Sequence, residues 1–191
     1  AIAYAERAAW SRYWLIDPLD GTKEFIKKNG QFTVNIALIE NGFPVLGVVY
    51  APALDRLYWG CLGEGAFVQT GDAPAQTLPC EPAASLPRVV MSVSHPDVAT
   101  QALVASWQTR FGDTLPAVTI GSSLKFCVLA EGGAEIYPRL APTMEWDTAA
   151  GQAVAEAAGC RVVQWPEGQR LRCNKPDLRN PAFLVTRLAD L

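Results

Sequence analysis

Tyr13-Trp14-Leu15-Ile16-Asp17-Pro18-Leu19-Asp20-Gly21-Thr22-Lys23-Glu24-Phe25 is the stretch on which the rest of the chain turns. Four apolar, strand-forming residues end in two aspartates three apart, with a proline stiffening the turn between them. Gly-Thr follows at once, and Lys23–Lys28 reads as a short helix closed by Asn29-Gly30. Asp17 and Asp20 can share a hard divalent cation, because carboxylate oxygens suit Mg²⁺. Gly21 lets a ligand approach the backbone closely, and amides at a helix start attract phosphate. Carboxylates beside a phosphate-binding turn need a cation between them, since the anions otherwise repel. Two plainer readings compete. One is a simple turn with a helix cap. The other is a calcium loop, disfavoured because the alternating oxygen ligands and distal Glu are missing.

Outward from this stretch the chain reads as an antiparallel meander. Gln31–Glu40 is rich in β-formers, and Asn41-Gly42 is a hairpin signal. Pro44–Ala51, Asp55–Cys61 and Ala66–Gln69 continue it, while Tyr13–Ile16 supplies a short buried strand before it and residues 1–12 read as helix or loop. Residues 70–87, rich in Pro, Ala and small polar residues, read as a connection between halves. Beyond it strand and helix alternate. Strands are expected at Arg88–Val93, Ala117–Ile120, Glu135–Pro138, Cys160–Trp165 and Phe183–Thr186. Helices are expected at Asp97–Phe111, at Ser122–Glu131 with its N-cap at Gly121 or Ser122, and at Asp147–Ala158 before Gly159. The division is an antiparallel-sheet half over residues 1–86 and an α/β half over residues 87–191, in a layered α/β class.

The 191 residues are half hydrophobic, enough for a real core, and carry a net charge of −3. No basic face suggests nucleic-acid binding, so an anionic substrate must be met by local cations. Five scattered cysteines, at 61, 80, 127, 160 and 173, form no metal-binding pair and no disulfide framework. A reducing cytoplasm is the simplest setting, and no run reaches the ~20 apolar residues of a membrane span.

A second acidic feature lies at Glu145-Trp146-Asp147-Thr148-Ala149-Ala150-Gly151. Alone, Asp147 reads as a helix cap; with Asp17 and Asp20 it becomes a candidate third carboxylate. Asp-Pro-Leu-Asp-Gly-Thr followed about 125 residues later by Trp-Asp-Thr-Ala-Ala-Gly resembles the paired signature of the inositol monophosphatase superfamily, the lithium-sensitive Mg²⁺-dependent phosphatases. The Lys23-Glu24-Phe25 extension, the Ile120–Gly132 segment and Tyr137-Pro138-Arg139 are similar to its bisphosphate nucleotidase branch.

The resemblance implies an α-β-α-β-α sandwich and hydrolysis of the 3′-phosphate of adenosine 3′,5′-bisphosphate to AMP, with the sulfated analogue a further substrate in sulfur metabolism. It implies that Asp17, the Leu19 carbonyl, Asp20 and Asp147 hold two or three Mg²⁺ ions. Asp20, Gly21, Thr22 and Asp147 would meet the scissile phosphate, with Thr22 helping to position the attacking water. Ser122 and Lys125 would hold the second phosphate or the ribose, and His95 and Arg139 are further nucleotide contacts. It also implies a cytoplasmic monomer or homodimer, with or without peripheral attachment to the inner membrane. The family carries a Glu-Glu segment about 20 residues before the first aspartate, which falls before Ala1; the chain therefore reads as N-terminally truncated, without the family's N-terminal helices. The competing readings are an inositol- or sugar-phosphate phosphatase of the same superfamily and an inactive metal- or nucleotide-binding fragment. The plain alternatives are a loop residue for His95, a solvated helix residue for Lys125 and buried apolar roles for the cysteines.

Overall fold

The computed structural model describes residues 2–79, 82, 84–92, 98–112 and 114–191. In chain order the helices are α1 (Tyr4–Arg7), α2 (Thr22–Ile26), α3 (Val98–Phe111), α4 (Leu124–Glu131) and α5 (Glu145–Ala157). The strands of the first sheet are β1 (Arg12–Asp20), β2 (Thr33–Glu40), β3 (Phe43–Ala51), β4 (Arg56–Cys61), β5 (Gly65–Thr70) and β6 (Gln76–Leu78). Those of the second are β7 (Val89–Met91), β8 (Ala117–Thr119), β9 (Ile136–Arg139), β10 (Arg161–Gln164) and β11 (Phe183–Thr186).

The first sheet is a meander in sequence order, every neighbour antiparallel. Strict alternation in Thr33–Glu40 turns Thr33, Asn35, Ala37 and Ile39 inward. The second sheet runs β10-β11-β9-β7-β8, with β7 parallel to β8 and β9 and the remaining pairs antiparallel. Helices α4 and α5 lie between the sheets. Leu124, Cys127, Ala150 and Val154 pack on Ala37, Val49 and Tyr58 of the first sheet. Phe126, Leu129 and Ala155 pack on Tyr137, Val162 and Phe183 of the second. Helix α3 covers the far face of the second sheet through Val104 and Trp107. Sheet, helix pair, sheet and helix thus follow one another in layers, as the alternation of elements requires.

Several boundaries differ from those expected, each for a local reason. The predicted connection 70–87 contains β6, whose Thr77 pairs with Phe67. Strand β1 runs on past Ile16 through both aspartates, pairing Asp17 with Asn35 and Asp20 with Thr33 across a register shift. Pro18 has no N–H to give the ladder, and a bulge accommodates it. Helix α2 begins at Thr22, behind a left-handed Gly21, and ends before Lys28, itself at φ 53°. Ser122 also has positive φ, 49°, so α4 cannot start there; its N-cap is Ser123. Helix α5 starts two residues before Asp147, making Asp147 its third residue and not its cap.

Candidate metal and phosphate site

Two elements from distant parts of the chain supply the carboxylates. Asp17 and Asp20 flank the bulge at the end of β1, and Asp147 lies in the first turn of α5. One oxygen from each carboxylate falls within 4.8 Å of the others. Burial pushes the Asp17 carboxyl up, and the Asp20 charge adds to it. Asp147 is pushed up to about 6, first by burial and then by Asp20 and Asp17, against the Met144 N–H that its Oδ2 accepts at 2.8 Å. Asp17 and Asp147, both raised by burial, face Asp20, and the three carboxylates together are a donor set suited to a cation. Hard oxygen ligands at this spacing fit Mg²⁺.

The aspartates are held from outside. Leu19 N–H donates to Asp17 Oδ1 at 3.0 Å, fixing the bulge. The N-terminus of α5 is anchored by buried Glu145, which accepts from Asn174 N–H, Lys175 N–H and Lys175 Nζ. Gly21 has φ 83°, and a Cβ there would sit 3.1 Å from both the Gln31 carbonyl and Ser122 Cβ. Only glycine fits that turn. Gly21, the N-cap of α2, has no side chain to cap the helix's first amides.

Beside the carboxylates opens a cavity of about 310 Å³, whose lining includes Asp20, Gly21, Asp147, Lys125, Arg139 and Ser122. Lys125 is 7% exposed. Burial and the nearby Arg139 lower its amine to about 8, while Asp20 and Glu24 oppose that fall. Its Nζ donates to the Ser122 carbonyl at 3.2 Å. A buried lysine beside an arginine is a place for an anion, not for core packing. Arg139 Nε is buried without a hydrogen-bond partner among the described residues.

Most of the expected site residues therefore gather at one place. Asp20, Gly21, Ser122, Lys125, Arg139 and Asp147 line the cavity, Asp17 clusters with Asp20 and Asp147 without being part of the lining, and Leu19 sits in the bulge. Thr22 is exposed at the start of α2 and is not part of the lining. His95, Val93 and Asp97 lie outside the described residues. Sequence reasoning missed Lys23, Glu24 and Tyr137, which also line the cavity, and the buried pair Asn35 and Ser123. One signal for Asn35 was available: a polar residue at an inward position of an otherwise apolar strand.

The chain matches the inositol monophosphatase family over residues 2–189. It belongs to that family. Inositol monophosphatase relatives similar to it include the 3′(2′),5′-bisphosphate nucleotidase CysQ of Salmonella typhimurium, 48% identical over 186 residues, which are 96% of this chain and 72% of that protein. The CysQ of Escherichia coli K12 is 48% identical over 182 residues, 94% of this chain and 70% of that one. Among solved members of the family, the crystal structure of CysQ from Bacteroides thetaiotaomicron superposes with a TM-score of 0.92 at 43% identity, covering 98% of this chain and 74% of that one. A staphylococcal IMPase-II superposes with a TM-score of 0.74 at 24% identity, a likeness of fold alone.

Proposed function

We propose that this chain is a Mg²⁺-dependent phosphomonoesterase that removes the 3′-phosphate of adenosine 3′,5′-bisphosphate, releasing AMP and phosphate, and that acts likewise on its sulfated analogue. The carrying observation is that one cavity is lined both by Asp20 and Asp147, two members of a cluster of three carboxylates completed by Asp17, and by a buried lysine and an arginine. Acidic groups alone would repel a phosphate; a basic pair alone would bind it without chemistry. Together they suit a substrate with two phosphates, one at the carboxylates and one at the cations.

Asp17, Asp20, Asp147 and the Leu19 carbonyl would hold the cation. Bound Mg²⁺ would neutralise the phosphate and raise the acidity of water for in-line attack. The amides of Gly21 and Thr22 would orient the scissile phosphate, and the Thr22 hydroxyl would accept a hydrogen bond from the attacking water. Lys125, Arg139 and Ser122 would fix the second phosphate or the ribose. The P–O bond to the 3′-oxygen would break as the bond to water oxygen forms, and the proton that the water gives up would be balanced by one taken up by the leaving 3′-oxygen.

The test is phosphate release from adenosine 3′,5′-bisphosphate and from inositol 1-phosphate, with Mg²⁺ and with chelator. Faster release from the bisphosphate, lost with chelator, is expected. Preference for inositol 1-phosphate overturns the substrate; inertness towards every phosphomonoester overturns the activity.

A further inference from the structure

Behind the carboxylates lies a buried polar junction. Ser123 and Asn35 are each 1% exposed. Ser123 N–H and Oγ both lie 2.6 Å from Asp20 Oδ2. Asn35 Nδ2 donates to Ser123 Oγ at 2.7 Å, and the same Oγ lies 3.0 Å from the Asp147 carbonyl. One hydroxyl thus touches the strand that carries Asp20, its neighbour β2, and the helix turn that carries Asp147.

Ordinary explanations do not account for this arrangement. Ser123 is the N-cap of α4, yet its side chain caps no amide of that helix. Its hydroxyl is turned away from the usual role of a serine there. Asn35 points inward between apolar neighbours, and its Oδ1 has no hydrogen-bond partner among the described residues. A buried, half-satisfied amide costs stability that valine at the same position would not. A hydroxyl carries one proton. Because Asn35 supplies the donor to Oγ, that proton is free for Asp20, whose charge makes it the stronger acceptor. Two donors then converge on Oδ2 and leave Oδ1 for a cation.

We propose that Ser123, braced by Asn35, is a positioning residue for the cation site, orienting Asp20 and tying it to the first turn of α5. This inference rests on the metal-dependent reading above. Outer partners of ligating carboxylates are typically worth about 10- to 100-fold in metal affinity.

The experiment is calorimetric titration of the 191-residue chain and its variants with Mg²⁺, each variant checked for folding by circular dichroism. Ser123→Ala is expected to raise the Mg²⁺ Kd about 10-fold or more. Asn35→Val keeps the inward apolar pattern and is expected to raise it about 3-fold or more, which serves if Ser123→Ala fails to fold. The double variant should bind no more weakly than Ser123→Ala alone, since both act through one hydroxyl. A folded variant whose Kd stays within about twofold of the parent overturns the inference, as does additivity in the double variant. A parent chain that binds no Mg²⁺ overturns both this inference and the phosphatase reading. Mg²⁺ binding without bisphosphate hydrolysis, with the variant effects intact, sinks the proposed activity and leaves this inference standing.

Discussion

At the scale of single residues, the site holds charges that folding alone would reject. Asp147 is pushed up to about 6 by burial and by its two acidic neighbours, and Lys125 is lowered to about 8 by burial and Arg139. Asp147→Asn removes one anionic ligand and should cut Mg²⁺-dependent phosphate release by more than ~100-fold, measured at saturating substrate. Lys125 gives a separate prediction with opposite signs for stability and binding. Its folded amine titrates near 8 and its unfolded amine near the usual value, so between these the unfolded chain binds more protons. Stability therefore rises with pH across that window, and at neutral pH the buried ammonium is a cost. Lys125→Met should stabilise the chain by about 1–3 kcal/mol at pH 7, read by thermal unfolding. The same change should raise KM for the bisphosphate far more than for inositol phosphate. Equal effects on the two substrates would show that Lys125 does not meet the second phosphate.

At the scale of elements, α5 sets the site because it carries Asp147 and lies directly on the first sheet. Its fit depends on small residues facing small residues. A Cβ on Gly47 of β3 would overlap the Ala150 carbonyl oxygen, and one on Gly60 of β4 would come within 2.9 Å of Val154 Cα. Those contacts are backbone, which cannot swing aside. Gly47→Ala should therefore destabilise by about 2–4 kcal/mol, seen as a lower midpoint in urea with an unchanged slope. Because α5 must lift to admit the methyl, Mg²⁺ affinity should fall in the same variant. The strands and hairpins of this sheet were legible in the alternation of residues 33–40 and in Asn41-Gly42, since period and turn chemistry act locally. The bulge at Pro18 was not legible as such. Proline announces a break in the ladder but not whether the strand ends or steps over it; the partner residues Asn35 and Thr33 decide, and they lie across a loop. The start of α4 was misplaced for a similar reason. The sequence offered Gly121 or Ser122 as its cap, and the positive φ of Ser122 moves the cap on to Ser123. Ser123 escaped notice because its worth comes from Asp20, Asn35 and Asp147, none of them near it in sequence.

At the scale of the whole molecule, the two sheets share helices α4 and α5, and the carboxylates come from β1 and α5 across that shared layer. The family signatures made the convergence of Asp17, Asp20 and Asp147 readable, whereas the surrounding charge balance needed the folded burial. That balance ties global stability to the cation. Without metal, folding brings three carboxylates together and raises Asp147 above the ordinary aspartate value. Over the window from about 4 to 6 the folded chain then binds more protons than the unfolded one, so this group's contribution falls as pH rises and its cost is complete above about 6. A cation reverses the effect, because it favours the ionised carboxylates and competes with their protons. Mg²⁺ at about 100 times its Kd should add about 2.7 kcal/mol at pH 7.5, raising the thermal midpoint by about 5–10 °C. At pH 5, where Asp147 is largely protonated, proton competition weakens the apparent affinity about 10-fold, and the same concentration should give only about half that rise. Thermal scans at both pH values, with Mg²⁺ and with chelator, measure the difference. An equal rise at the two pH values would mean that the stabilising cation binds elsewhere than at Asp147.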